Sequence, residues 1–194
     1  MAVEKKSIGK LIVGEWNTRT VVGVALGAAL FGVLMTYGGI PIFTNTKLTS
    51  AYIIPVIVGG LYGPVPAAVS AFFGNVFADI LGGSGFWFDW SIGNAIAAFI
   101  VGLLPLYGAR IREGVFTAKQ AVIYAVLAIL GTALAFGVVT PLFTLLFFGG
   151  ELKITYLQAQ AAVISDASIL VIVGIPLLFA LAKHYRKQVG LTKE

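Results

Sequence analysis

Long apolar segments run through almost the whole chain from Thr20 to Ala182, and only short polar stretches separate them. A helix that crosses the hydrocarbon core of a bilayer needs roughly 20 largely apolar residues. Six segments approach that length, and we number them as spans 1 to 6: 20–37, 49–62, 63–81, 90–109, 117–148 and 156–184. With 59% hydrophobic and 11% charged residues, the composition excludes a water-soluble domain. The sequence therefore predicts an all-α integral membrane protein with six transmembrane helices.

The spans leave no length for a second domain. We expect a cytoplasmic N-terminal segment at 1–19, a single six-helix membrane domain at 20–184 and a cytoplasmic tail at 185–194. Several lysines and no small-residue cleavage site precede span 1, so we expect this first helix to be retained. Proline lacks the backbone N–H of a regular helix and therefore predicts bends. We expect a tight turn at 63–66, a break or tilt near Pro141 and a kink at Pro176.

Lysine and arginine residues are distributed unequally between the two sets of segments that connect the spans. If the N-terminus lies inside, every one of the 13 except Lys47 and Lys153 falls on the inner side. Short cytoplasmic loops accumulate these residues, so the pattern predicts that both termini are cytoplasmic. We therefore attribute the net charge of +5 to membrane topology in preference to a nucleic-acid-binding surface.

Three outer segments combine glycine with aromatic or amide residues, and they are 38–47, 82–90 and 149–156. Glycine allows sharp bends and close approach to a ligand, while Phe86, Trp87, Phe88 and Trp90 offer flat apolar surfaces. Tryptophan and tyrosine also gather at membrane interfaces as an aromatic belt. These segments are therefore interpreted either as an aromatic belt or as ligand-binding loops.

Polar side chains inside the spans favour the binding interpretation. A four-residue spacing brings Asn75 and Asp79 to one face of span 3, in its outer half. Asn94 lies one turn into span 4 from the same side. The outer part of span 6 carries Tyr156, Gln160 and Asp166. Carboxylates at such depth usually face a bundle interior or a wet cavity, which makes Asp79 and Asp166 candidate site residues. The alternative is that they bond to neighbouring helices or cap helix ends.

Small residues recur at four-residue spacings along span 1. The pairs are Gly23 and Gly27, Ala25 and Ala29, and Ala28 and Gly32. Such spacings let another helix approach closely. Packing inside the six-helix bundle explains part of the pattern. Three small-residue stripes exceed what a single helix contact needs, so part of this surface is available to another subunit.

Residue constellations that carry out catalysis are missing from the sequence. The single histidine, His184, follows the last span in a basic run, and the chain contains no HExxH motif, nucleophile elbow or phosphate-binding loop. Asp79 and Asp166 lack the glycine-rich context expected of an intramembrane aspartyl protease. We therefore expect a protein that is not an enzyme, holds no cofactor or metal, and does not hydrolyse ATP through a P-loop.

Several short motifs resemble one family of membrane transport proteins. They are the pair Ala25 and Ala29 in span 1, the Leu-Tyr-Gly-Pro turn at 61–64, and the outer loop rich in glycine and tryptophan. Together these resemble the S-components of energy-coupling-factor (ECF) transporters. Segments 45–48, 74–79 and 86–93 are most similar to the riboflavin-type branch. That branch includes the cobalamin S-component CbrT and relatives assigned to methionine-related solutes.

The resemblance implies a division of labour between this chain and partner proteins. An S-component captures a vitamin at its external face in the bacterial cytoplasmic membrane, docks onto an EcfT-like transmembrane subunit, and topples to deliver the solute. Two cytoplasmic ATPases drive the cycle. By this resemblance Ala25 and Ala29 are docking residues. The residues implied to ring the ligand are Asn45, Tyr52, Asn75, Asp79, Trp87, Trp90, Asn94, Tyr156 and Gln160.

The sequence favours cobalamin as the vitamin, because glycine-rich loops with several aromatic residues can open around a bulky amphipathic ligand. Riboflavin, which would stack on the same aromatic residues, and a methionine-related solute are the alternatives. A stand-alone secondary transporter or channel is a rival function, but spans 1–3 and 4–6 lack the internal similarity expected of an inverted repeat. A purely structural membrane subunit is a third interpretation, and the buried acids and aromatic loops argue against it.

Overall fold

The computed structural model describes residues 7–44 and 46–191. Asn45, one of the predicted ligand residues, lies outside the described residues. Two strands, β1 Gly39–Phe43 and β2 Thr46–Thr49, follow the second helix. The α-helices of the described residues are α1 Ile8–Val13, α2 Thr18–Tyr37, α3 Ile53–Tyr62, α4 Pro64–Gly82, α5 Phe88–Val101, α6 Ala118–Leu134, α7 Thr140–Phe143, α8 Leu152–Ile172 and α9 Gly174–Leu191.

Five helical segments in the described residues are long and apolar enough to cross a membrane. They are Thr18–Tyr37, Pro64–Gly82, Phe88–Tyr107, Ala118–Phe148 and Leu152–Gln188. Span 2 forms a shorter apolar helix, Ser50–Tyr62, which falls below that length. The prediction of a multi-helical membrane protein is therefore confirmed, whereas one of the six predicted helices is shorter than a regular span.

Two helix boundaries differ from the predicted ones for local reasons. A 3₁₀ turn at Ser50–Tyr52 precedes α3, so the regular helix of span 2 begins later than expected. The regular helix of span 4 ends at Val101 instead of 109, and a 3₁₀ turn follows it. At that point α5 approaches the start of α4, since a Cβ atom on Gly102 would lie 2.8 Å from the Cα of Pro64. This close approach requires glycine there.

The prolines of the last two spans have different effects. Around Pro141 the helix does not break but continues through wider π-helical turns at Ala135–Val139 and Thr144–Phe148, on either side of α7. In span 6, by contrast, α8 ends at Ile172 and α9 begins at Gly174. The proline ring clashes with the carbonyl four residues earlier, so the interruption lies just before Pro176. The predicted kink at Pro176 is therefore confirmed.

The small residues of α2 lie on two different faces. A Cβ atom on Gly27 would lie 2.5 Å from the Oγ of Ser70 in α4, and Ala28 is buried in the same contact. This face of α2 packs closely inside the bundle. Ala25 and Ala29 lie on the other face, where they are exposed.

The first outer segment forms a β-hairpin, although its glycine and proline residues suggest an irregular loop. β1 and β2 pair in an antiparallel arrangement in which Pro41 lies opposite Lys47. The side-chain amide of Gln158 in α8 donates to the carbonyl of Thr44 at 3.0 Å. The hairpin is thus fastened to α8, at the end of the bundle opposite the connection between α5 and α6.

Candidate functional site

A cavity of about 700 Å³ opens at the hairpin end of the bundle. Its wall consists of the hairpin, the last turns of α2 and α4, the first turns of α5 and α8, and the π-helical turn at Thr144–Phe148. Cavities of this size hold small organic ligands, and such sites combine apolar surface with a few polar groups. The cavity is therefore the candidate functional site of the chain.

Most of the residues predicted to ring a ligand lie around this cavity. The predicted residues of spans 2 to 4 converge on it because α4 ends and α5 begins there. The predicted residues that line it are Tyr52, Asn75, Asp79, Trp87, Trp90 and Asn94. Asn75 and Asp79, which are four residues apart, lie on the face of α4 that lines the cavity.

Tyr156 and Gln160 do not line the cavity, and both side chains are exposed. The face of α8 that lines it carries Thr155, Gln158 and Asp166 instead. These positions follow the three- or four-residue spacing of one helical face, and Tyr156 and Gln160 lie on a neighbouring face. Tyr156 and Gln160 were predicted from their polarity and their depth in the membrane, and neither property shows which face of a helix lines a cavity.

A chain of hydrogen bonds joins three helical elements beneath the cavity. The hydroxyl of Tyr52 donates to Oδ1 of Asn94 at 2.8 Å. Nδ2 of Asn94 donates to Oδ1 of Asn75 at 3.1 Å and to the carbonyl of Trp90 at 2.9 Å. Nδ2 of Asn75 donates in turn to Oγ of Ser91 at 3.1 Å. Both amides are buried and use all of their N–H groups within the protein, so they form a rigid wall.

Asp79 holds the loop between α4 and α5. Its carboxylate accepts a hydrogen bond from the backbone N–H of Trp87 at 3.0 Å. The indole N–H of Trp87 donates to the carbonyl of Ser84 at 2.8 Å, and its ring lies 4.7 Å from that of Phe148. The loop contacts therefore fix the position of an aromatic surface at the cavity.

Asp89 fastens the start of α5 to the distorted helix after α6. Its fully buried carboxylate accepts hydrogen bonds from the hydroxyl of Thr144 and from the backbone N–H of Trp90. The indole of Trp90 stacks on Phe136 with ring centres 5.9 Å apart. A buried carboxylate needs such donors, which explains why the polar Thr144 occurs in an otherwise apolar segment.

Asp166 lies deep in α8 and lines the cavity. The hydroxyl of Ser165 donates to its Oδ1 at 2.9 Å, and its carboxyl group also interacts with the hydroxyl of Tyr52. Its buried position agrees with both sequence-based interpretations, since it faces a cavity and also bonds to a neighbouring element. Asp166 thereby links α8 to the amide wall.

Several residues of the site were missing from the predicted set. Lys47 and Thr49 of β2 and Gln158 of α8 line the cavity. The two hairpin residues were missed because their segment was interpreted as a loop without a defined face. The spacing of Gln158 and Asp166 by about two helical turns was the signal that could have identified Gln158. Within the described residues, no cluster of three or more histidine, cysteine or acidic side chains is arranged to hold a metal ion.

Residues 15–183 match the model of the family described as the ECF-type riboflavin transporter, S component. The chain belongs to this family. The S-component is therefore a multi-pass membrane protein of a transporter for a vitamin-type substrate, and it belongs to a family of transport subunits and not of enzymes.

Relatives of this S-component occur in Aliivibrio and Vibrio species. A UPF0397 protein of Aliivibrio fischeri (strain MJ11) is 33% identical over 179 residues, which cover 91% of this chain and 97% of the relative. A UPF0397 protein of Vibrio vulnificus (strain YJ016) is 32% identical, with 91% of this chain and 98% of the relative covered. The likeness therefore extends over nearly the full length of both proteins.

A crystal structure of FolT bound with folic acid has the same fold. The TM-score is 0.60, and the superposition covers 87% of this chain and 96% of FolT at 16% sequence identity. At that identity the likeness shows a shared fold. It agrees with the family match, which rests on sequence.

Tyr52→Phe tests the hydrogen-bonded wall of the S-component. We expect the free energy of unfolding to fall by about 1 kcal/mol, because Oδ1 of Asn94 loses its donor in a buried site. The measurement is unfolding by SDS in mixed micelles. Tyr37→Phe is the matched control, since Tyr37 is 71% exposed and should be replaced without loss. Equal stability of both variants would contradict the role of the Tyr52 hydroxyl.

Proposed function

We propose that this S-component captures a flat vitamin of the size of riboflavin or folate in the cavity at the hairpin end. The observation that carries the proposal is the cavity itself, which combines two indole rings with a wall of buried amides. Trp87 packs against Phe148 with its ring tilted, and Trp90 stacks on Phe136. Such rings offer a fixed apolar surface to a planar heteroaromatic ligand.

The volume of the cavity favours a vitamin smaller than cobalamin, which the sequence favoured. About 700 Å³ lies within the range of sites that enclose drug-sized ligands. Riboflavin carries a flat isoalloxazine ring system and folate a flat pterin joined to a benzoyl ring, whereas cobalamin combines a corrin ring with a nucleotide loop and is much larger. The name of the matching family and the folic acid bound to FolT support the same choice. Cobalamin, which would require the hairpin and the 83–87 loop to move apart, stays a prediction, as does a methionine-related solute.

Riboflavin binding tests this proposal directly. We expect the purified S-component to quench flavin fluorescence, and Trp87→Ala to raise the Kd about fivefold to tenfold because a stacking surface is lost. Trp16→Ala is the matched control: Trp16 precedes α2 at the opposite end of the bundle and should be replaced without effect on Kd.

Competition then identifies the vitamin. Folic acid, cobalamin and methionine are added to the flavin complex or titrated separately by calorimetry. Binding of riboflavin or folic acid supports the proposal, and binding of cobalamin alone would show that the cavity opens far wider than its volume here. Equal losses in Trp87→Ala and Trp16→Ala would argue against the cavity as the site.

We also propose that the exposed face of α2 docks onto an EcfT-like transmembrane subunit, with two cytoplasmic ATPases supplying the energy. Ala25 and Ala29 lie among larger apolar residues, and Leu26 and Leu30 beside them are 60% and 52% exposed. Small residues between larger ones let a partner helix approach closely. This uncovered face favours a docking subunit over a stand-alone secondary transporter or channel.

Ala25→Trp and Ala29→Trp test the docking face. When the S-component is co-expressed with EcfT and the ATPases, we expect either variant to reduce their co-purification at least tenfold, because an indole prevents close helix approach. Ala180→Trp is the matched control, since Ala180 is an exposed alanine on α9. Uptake by the S-component alone in proteoliposomes, driven by an ion gradient, would contradict this proposal.

The proposed topology has six membrane-crossing helices and cytoplasmic termini. The segments 1–19 and 185–194 flank the membrane domain 20–184 on its inner side. Segment Ser50–Tyr62 spans only about 20 Å at 1.5 Å per residue. The hairpin and the cavity occupy the remaining depth above α3, so a short helix suffices there.

Cysteine labelling tests this topology, because the natural sequence contains no cysteine. We expect a membrane-impermeant maleimide to label Lys153→Cys in intact cells and to label Arg112→Cys only after permeabilisation. Both positions are exposed. The reverse labelling pattern would show that the hairpin end faces the cytoplasm.

A further inference from the structure

Lys47 places a positive charge at the wall of the cavity. It lies on β2 opposite Pro41, and its side chain is half-buried. Among the described residues, Lys47 is the one basic residue that lines the cavity. Its Nζ donates to the carbonyl of Thr36, in the last turn of α2, at 2.8 Å. The position of the ammonium group is therefore determined by both the hairpin and α2.

The contact with Thr36 uses only part of the hydrogen-bonding capacity of Lys47. The last carbonyls of a helix lack partners within the helix and favour a nearby cation, which explains this contact. An ammonium group carries three N–H donors, so two remain after the bond to Thr36. Among the described residues, no carboxylate forms an ion pair with Lys47. The ammonium group is therefore not paired directly with the carboxylates that line the same cavity.

Three acidic residues line the cavity: Glu151 is exposed, whereas Asp79 and Asp166 already have hydrogen-bond donors within the protein. Asp79 already accepts hydrogen bonds from the backbone of Trp87 and the amide of Asn75. Asp166 already accepts a hydrogen bond from Ser165. The protein therefore satisfies these acids internally. The buried amides of Asn75 and Asn94 are satisfied as well, so Lys47 is the cation of the cavity wall and keeps two N–H donors free.

We propose that Lys47 is a specificity-determining residue that donates to an oxygen acceptor of the vitamin, either a ring carbonyl or a carboxylate. This inference rests on the proposed function and names the chemistry of its ligand. Hydrogen bonds from an ammonium group are stronger than those between neutral groups, particularly where water is partly excluded. A ligand without such an acceptor would leave the half-buried cation unpaired and would bind more weakly.

Lys47→Met tests the inference with riboflavin and folic acid as probes. We expect the Kd of the tighter vitamin to rise at least tenfold, which corresponds to about 1.4 kcal/mol. Lys153→Met is the matched control for charge: Lys153 belongs to the same end of the bundle, is exposed and does not line the cavity. The Kd of Lys153→Met for the same vitamin should stay within twofold of the Kd of the unaltered protein.

Ser50→Ala separates ligand contact from anchoring of the hairpin. The hydroxyl of Ser50 donates to the carbonyl of Gly38 at 3.1 Å at the base of the hairpin, and Ser50 does not line the cavity. We expect this variant to bind normally. A loss of affinity in Ser50→Ala as large as that in Lys47→Met would show that Lys47 only anchors the hairpin, and would overturn the inference.

Lys47→Gln distinguishes the two acceptors. A neutral amide retains donors, so riboflavin bound through a ring carbonyl should lose about threefold or less. Folic acid bound through a carboxylate should lose more than riboflavin does, because the amide lacks the positive charge that strengthens a hydrogen bond to an anion. Unchanged affinity of Lys47→Met for a vitamin that the unaltered protein binds would overturn this inference alone. Absence of binding to either vitamin would overturn the proposed function and this inference with it.

Discussion

Polar groups inside the hydrocarbon region have no water to bond, and this constraint organises the hairpin end of the bundle. Asn75 and Asn94 lie on different helices and satisfy each other, and Tyr52 completes the wall from the start of α3. A wall that uses its own hydrogen-bonding groups is rigid and preorganised. These buried groups therefore hold the start of α3, the outer turns of α4 and the start of α5 in place around the cavity.

The hydrogen-bonded wall positions α3, α4 and α5, and the glycine face of α2 positions α2 beside them. Gly27 lets α2 pack against α4, and this contact brings the end of α2 beside the cavity. The same contact directs Ala25 and Ala29 away from the bundle. One helix therefore contributes to the cavity at its hairpin end and carries the proposed docking face along its side. In the proposed function, ligand capture and docking involve the same helix.

The predictability of the site depended on the kind of segment that carried each residue. Asn75 and Asp79 could be found because a regular helix repeats every 3.6 residues and both lie on one face. Tyr156 and Gln160 were chosen by depth, and the true register of α8 directs Gln158 to the cavity instead. Lys47 could not be found in this way, because the glycine and proline residues of its segment are typical of a loop and do not predict the hairpin that orients Lys47.

Hydropathy by itself determined that the chain is a multi-helical membrane protein, because the cost of exposing backbone polar groups to hydrocarbon leaves few alternatives to long helices. Short motifs in spans 1, 3 and 4 were sufficient to indicate the S-component family. Only the tertiary structure decided the volume of the cavity, the two faces of α2 and the position of Lys47. These depend on contacts between residues distant in sequence, such as Lys47 with Thr36 and Gln158 with Thr44, and local sequence patterns do not contain such distances.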